Sequence, residues 1–227
     1  MDNHRVLFLD EVTSTQDAAI EHDLQIGEAC VSFNQTSGRG RRGNEWNSSG
    51  GVAVTVVLEK ASPLLPIALA ATLASRLNNL IPKHHIGIKW PNDLYVDGKK
   101  LAGILIEQRE NRCLVGVGVN VLEAPIPTSV AMATLAKSQL GSEPKKGVVA
   151  ELVVSSVLDA TQVDENAAVT AWRKRDILVG TIQTIQSGSN TVTGTVLSID
   201  PCHNMILQTE CGILELPAAT STIVTPC

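Results

Sequence analysis

The run QTSGRGRRGNEW, Gln35 to Trp46, interleaves Arg39, Arg41 and Arg42 with Gly38, Gly40 and Gly43. Guanidinium forks match the paired oxygens of carboxylates and phosphates, and glycines let backbone come close to a ligand. The run therefore reads as an anion-binding loop, or as a solvated basic loop or RNA-contacting segment. It is neither a Walker A loop nor a dinucleotide fingerprint, because the glycine spacing fits neither. A second cluster is KWPND, Lys89 to Asp93. Lys89 follows the apolar Ile86-Gly87-Ile88, at the end of a strand entering the protein, where an ammonium is costly unless it meets an anion. The competing reading has Lys89 snorkelling to the surface while Trp90 and Pro91 pack and Asn92-Asp93 form a plain turn. A third is STQD, Ser14 to Asp17. Its hydroxyls can cap a helix, or face a polar ligand at the helix start. The fourth is GVGVN, Gly116 to Asn120. Gly116 and Gly118 alternate where side chains would otherwise fill space, so a ligand or neighbouring backbone should lie close, and Asn120 is a strand-end turn residue or a ligand contact.

These residues need a scaffold, and the pattern between them supplies one. Val6 to Leu9 reads as a strand, followed by a short helix capped from Thr13, Ser14 or Thr15. Ala29 to Phe33 and Val52 to Glu59 read as strands flanking the long polar run Gln35 to Gly51, and Pro63 to Leu80 as a largely buried helix capped by Ser62. Asp97-Gly98 between Leu94-Tyr95-Val96 and Leu101 to Glu107 is a hairpin signal. Arg112 to Glu123 gives another strand, and Lys146 to Leu158 and Glu165 to Arg175 read as helices. Beyond Arg175 the chain turns rich in Val, Ile and Thr, broken by Gly, Ser-Gly-Ser-Asn and Asp-Pro, which predicts a small module of about five strands. We therefore expect two domains, residues 1–178 and 179–227, the second too small to hold much core alone.

Composition bounds the class. The chain has 227 residues, 44% apolar and 18% charged, which excludes disordered, collagen-like and coiled-coil classes. With aromatics at 3%, the core must be built of Val, Leu, Ile and Ala. The longest apolar stretch, Leu64 to Ala74, is shorter than a membrane span needs, and the start MDNHRVLFLDEV does not resemble a secretory signal, so a cytoplasmic protein is expected. Five widely spaced cysteines show no metal-ligand pattern, so reduced thiols and no protein-held metal are expected. The net charge of −5 argues against non-specific nucleic-acid binding by the whole surface.

Together and in this order, GRGRRG, KWPND, LAGIL (Leu101 to Leu105) and GVGVN resemble the signatures of biotin protein ligases, and the Trp172 to Gly180 junction extends the resemblance. It implies an α+β fold, a class II synthetase-like catalytic domain with mixed sheet and flanking helices, followed by a small SH3-like β-barrel. It also implies an enzyme that activates biotin with ATP to biotinyl-5′-AMP, assisted by Mg2+, and transfers biotin to a lysine of a biotin carboxyl carrier protein such as that of acetyl-CoA carboxylase. On residues, the resemblance assigns biotin to Ser14, Thr15, Gln16, Gln35, Arg39, Gly40, Arg41 and Lys89. It assigns the nucleotide to Arg41, Trp46, Lys89, Asn92, Gly103 and Asn120, and catalysis to Lys89, Arg39 and Arg41. Some relatives carry an N-terminal winged helix that represses transcription; with Met1 only about a dozen residues before Ser14, a ligase without DNA binding is expected. Relatives also imply a homodimer through an exposed sheet edge.

Two departures accompany the resemblance. Gln16 stands where many relatives have asparagine, and no lysine or arginine follows Arg175 to reach the nucleotide from the last domain. The rival enzyme is a lipoate–protein ligase, with the same two-step chemistry. The rival non-enzyme is a biotin-sensing or RNA-binding module; the net acidity and the lack of aromatics beside the arginines count against RNA.

Overall fold

The computed structural model describes residues 5–46, 48–136, 144–218 and 220–224, apart from the Arg42 side chain. Strand β1 (Val6–Leu9) leads to helix α1 (Thr15–Glu21), β2 (Ala29–Ser32), the two-residue strands β3 (Gly38–Arg39) and β4 (Glu45–Trp46), and β5 (Val52–Leu58). Helix α2 (Leu65–Asn78) precedes β6 (Gly87–Lys89), β7 (Asp93–Val96), β8 (Lys99–Arg109) and β9 (Arg112–Val119). Then come α3 (Met132–Ala136), α4 (Lys146–Ala160), α5 (Glu165–Arg173) and strands β10 (Ile182–Ser187), β11 (Asn190–Ile199), β12 (Asn204–Thr209), β13 (Gly212–Pro217) and β14 (Ser221–Ile223).

The valine-rich strands build a mixed seven-stranded sheet in the order β1-β2-β5-β9-β8-β7-β6. β1 and β2 run parallel and the other neighbours antiparallel. β5 is buried throughout, as a central strand covered on both faces must be. One face carries α2, α4 and α5, packed through the alanine- and leucine-rich α2. The other face carries α1, over a small cluster of Ala18, Ala19, Leu24, Cys30, Val57 and Leu114. Burial pushes the Cys30 thiol up to about 11. Cys227 lies outside the described residues.

Several local readings hold in detail. Ser14 is the N-cap of α1, its hydroxyl accepting from the Gln16 N–H at 3.3 Å. The Asp97-Gly98 turn joins β7 and β8, with positive φ at both residues (50° and 76°), the geometry of a tight hairpin. The start of α2 differs from expectation. The helix begins at Leu65 with Pro66 in its first turn, and Ser62 contributes only its carbonyl, accepting from the Leu65 N–H at 3.0 Å.

The five C-terminal strands form an antiparallel sheet in the order β13-β12-β11-β10-β14. The hydrogen-bond order leaves β13 and β14 at its two edges. Its inner residues Ile185, Val196, Met205 and Leu207 join the same apolar cluster as Trp172 and Leu178. The strip Arg175 to Ile177 joins the two sheets and covers the free edge of β6. Ile88 N–H donates to the Arg175 carbonyl at 2.6 Å, and Ile177 N–H donates to the Ile88 carbonyl at 3.2 Å. The strand that ends in Lys89 is thus paired on both sides. None of the described helices is long and apolar enough to cross a membrane.

Candidate active site

Strand pairing places one row of residues side by side across the sheet: Lys89, Asp93, Gly103, Gly118, Ala53 and Ser32. Partners directly opposite one another share a face. The row is charged at one end and nearly without side chains in the middle, so it forms a hollow. Trp46 fills part of it: a Cβ at position 118 would stand 2.2 Å from Trp46 Cε2. The next row, Leu105, Gly116, Thr55 and Cys30, is hollow at Gly116, where a Cβ would meet Gln16 Nε2 at 3.0 Å. The glycines expected to admit a ligand or backbone therefore admit two protein side chains that shape the floor.

Above this floor lies a cavity of about 480 Å³, within the size range of small-molecule sites. Its deep end is polar and neutral. Thr15 donates to Gln35 Oε1 from its backbone N–H at 2.8 Å and from its hydroxyl at 3.2 Å, and Thr55 Oγ1 donates to Thr15 Oγ1 at 2.9 Å. Ser48 Oγ accepts from the Gln35 N–H at 2.6 Å. Ser14, Thr15, Gln16 and Gln35 all line the cavity and are all buried. Gln16 Nε2 donates to the carbonyls of Leu105 (3.2 Å) and Leu114 (3.4 Å), so its extra methylene lets it tie α1 to β8 and β9.

The other end is charged. Arg39, Arg41, Lys89 and Lys100 line it against the carboxylates of Glu45 and Asp93. The run Gln35 to Trp46, read as a long polar connection, is folded as the β3–β4 hairpin around a short 3-10 turn at Arg41–Gly43. Arg39 is clasped by Asp17, and Arg41 Nη1 donates to Asn92 Oδ1 at 3.4 Å. The Asn92 amide in turn donates to the Ile104 carbonyl at 2.7 Å. Lys89 lies half-buried, 5.2 Å from the centre of the Tyr95 ring, and burial holds its ammonium below the ordinary lysine range. Trp90 packs in the core behind it.

Of the residues singled out from sequence, Ser14, Thr15, Gln16, Gln35, Arg39, Gly40, Arg41, Trp46, Lys89, Asn92 and Gly103 meet at this one cavity. Asn120 is the exception. It is buried behind the wall, where its Nδ2 donates to the Lys100 carbonyl at 3.2 Å and its own carbonyl accepts from Met132 N–H. Three charged residues of the wall, Glu45, Asp93 and Lys100, were missed. Lys100 pairs with Asp93 at 2.7 Å and lies 5.5 Å from the centre of the Trp46 ring. A β-bulge in the β7–β8 pairing brings Lys100 to the side of Gly103, three residues on, which a regular strand would put on the opposite face.

A family model described as the biotin/lipoate A/B protein ligase family matches residues 9–122, half of the chain. The chain belongs to this family. It is 30% identical over 205 residues to the biotin–[acetyl-CoA-carboxylase] ligase of Paracoccus denitrificans, covering 82% of this chain and 85% of that protein. It is 24% identical over 233 residues to the bifunctional ligase/repressor BirA of Escherichia coli strain K12, covering 95% of this chain and 72% of that one. Among solved structures, the biotin protein ligase from Aquifex aeolicus in complex with biotin and ATP superposes with a TM-score of 0.83 at 25% identity, covering 98% of this chain and 99% of that chain.

The segment matched by the ligase family model holds every cavity residue contributed by the seven-stranded sheet, α1 and the loops. What this family member adds from outside it is a wall of Gln186, Thr222, Ile223 and Val224 from the C-terminal sheet. That wall is uncharged, in keeping with the absence of lysine and arginine after Arg175.

Proposed function

We propose that the protein is an ATP-dependent biotin–protein ligase. The biotin carboxylate attacks the α-phosphorus of ATP to give biotinyl-5′-adenylate and pyrophosphate. The amine of a carrier lysine then attacks the acyl carbon, AMP leaves, and the amide forms with loss of a proton. The observation that carries this reading is the single cavity with a neutral, hydroxyl- and amide-lined deep end and a cationic mouth. Such a shape suits a ligand that is uncharged at one end and anionic at the other.

In this reading Ser14, Thr15, Gln16 and Gln35 hold the ureido ring, whose N–H and C=O groups need buried partners. Arg39, Gly40, Arg41 and Lys89 receive the carboxylate. Arg41, Trp46, Lys89, Asn92 and Gly103 take the nucleotide, with Asn120 holding Lys100 from behind. Carboxylate and α-phosphate repel each other, and preorganised cations offset that repulsion as charge builds in the transition state. The hairpin carrying Arg39 and Arg41 shields the acyl-adenylate from water.

Magnesium fits only as a passenger on the nucleotide. Among the described residues no group of three or more His, Cys, Asp or Glu could cage a metal. Glu45 and Asp93 are the cavity's carboxylates, and one or two carboxylates plus phosphate oxygens are the usual surroundings of this ion. When bound it neutralises the departing pyrophosphate. The carrier is a biotin carboxyl carrier domain, and the exposed edge of β1 is where we place a homodimer. Incubation with ATP labelled at the α-phosphate and either biotin or lipoate tests the reading. A labelled adenylate is expected with biotin and none with lipoate; labelling with lipoate alone reverses the assignment.

A further inference from the structure

Helix α1 carries a carboxylate that the reaction above leaves without a role. Asp17 stands at the third position of the helix, where an acid ordinarily reaches back to the backbone of the N-cap residue. Here both its oxygens are taken by arginines. Oδ2 accepts from Arg39 Nη1 at 2.8 Å, and Oδ1 accepts from Arg39 Nη2 at 2.8 Å and from Arg109 Nη1 at 2.6 Å. Arg109, at the end of β8, is held in turn by Glu107 Oε2 at 2.7 Å. Two cations and two carboxylates thus form a closed, neutral group that links α1, the β3–β4 hairpin and β8.

A guanidinium grasped through its two terminal nitrogens keeps three N–H groups outside that grip, one on each terminal nitrogen and the one on Nε. In Arg39 the Nε atom is buried and has no hydrogen-bond partner among the described residues. A buried donor without a partner is costly, and Arg39 lines the cavity. The same helix presents Ser14, Thr15 and Gln16 to the neutral end of that cavity. We propose that Asp17 is the positioning residue for Arg39: it grips the guanidinium by its outer nitrogens and leaves the Nε–H for the carboxylate of the bound acid, while Arg109 and Glu107 fix Asp17. This rests on the biotin-adenylation reading. The Arg39 hydrogen bond, foremost among the causes, holds the Asp17 carboxyl below the usual range, so the grip persists at neutral pH.

The sign of one substitution separates positioning from competition. If Asp17 only neutralised Arg39, Asp17→Asn would free a cation and tighten binding of an anion. If Asp17 positions Arg39, the same change weakens it. Calorimetric titration of biotin into the whole protein, without ATP, is the measurement. Asp17→Asn should weaken binding about tenfold, the scale of one charge-assisted hydrogen bond. On an Arg39→Ala background the same change should have no further effect, because a residue that acts through another is silent in its absence. Arg109→Gln should weaken binding in the same direction by about threefold, and it carries the test should Asp17→Asn lower the melting temperature too far for titration. Unchanged or tighter binding by Asp17→Asn, or an undiminished effect on the Arg39→Ala background, overturns the proposal. Failure of the wild type to bind biotin instead overturns the functional reading.

Discussion

Lys89→Met lowers the rate of biotin adenylation by about 10³-fold, the upper range for losing one preorganised charge-stabilising donor, and leaves the protein as stable as the wild type or more so. The two halves of this result come from one fact. Lys89 ends a strand that is paired on both sides, so its ammonium is held half-buried at the cavity whether or not an anion is bound. Burial disfavours the charged form, with Asp93 opposing the effect and Lys100 reinforcing it. A base with a depressed folded-state pKa destabilises the fold wherever both folded and unfolded chains are protonated. The penalty is fully present below the lowered pKa and fades as pH rises toward the ordinary lysine value. Methionine removes it at neutral pH while filling similar space. Urea unfolding at pH 7 should therefore place Lys89→Met at or above the wild type, with the difference shrinking as the medium becomes more alkaline. A variant that loses stability and keeps adenylation would show a structural lysine instead.

Gly118→Val should lower adenylation by about 10²-fold, through misplacement of the groups that hold the reactants, with the fold intact. Valine suits a strand already rich in valine, and Gly118 faces only Gly103 and Ala53 across its neighbours. What it cannot share is the hollow, since its Cβ would fall 2.2 Å from Trp46 Cε2 and 2.4 Å from Cζ2. The indole must leave, and with it the β3–β4 hairpin, in which Trp46 pairs with Gly38. Lys100, which lies over the indole, loses its ring partner as well. Steady-state kinetics should show the KM for ATP rising more than that for biotin, because the deep polar end lies over Gly116 instead. Wild-type kinetics in this variant, or equal rises in both constants, would contradict the placement of Trp46 beside the nucleotide.

Most of the site could be read from residue types, because the chemistry concentrates arginine, lysine and glycine where an ordinary loop or strand would not. The Ser14 cap, the Asp97-Gly98 turn and the change to strands after Arg175 were equally visible, each governed by local backbone preference. Register was not. That Lys89, Asp93, Gly103 and Gly118 share one row depends on three antiparallel pairings, and nothing local announces them. Nothing local marked Lys100, because only the bulge turns it toward the cavity. Nothing local marked Asp17 either, since its partners are 22 and 92 residues away. Asn120 shows the converse, a residue marked by a motif whose amide serves the backbone of a lysine in the cavity wall. The C-terminal wall, made of glutamine, threonine and apolar residues, has no sequence signal because its contribution is shape alone.

In the proposed reaction one cavity brings a neutral-headed acid and a nucleotide together and passes the acid on. Incubating the protein with ATP, biotin and a purified carboxyl-carrier domain, then reading the carrier by avidin blot and intact mass, tests it most directly. A single biotin on one carrier lysine, dependent on ATP, is expected. A carrier that stays unmodified while the protein consumes ATP, or a carrier modified without ATP, would contradict it.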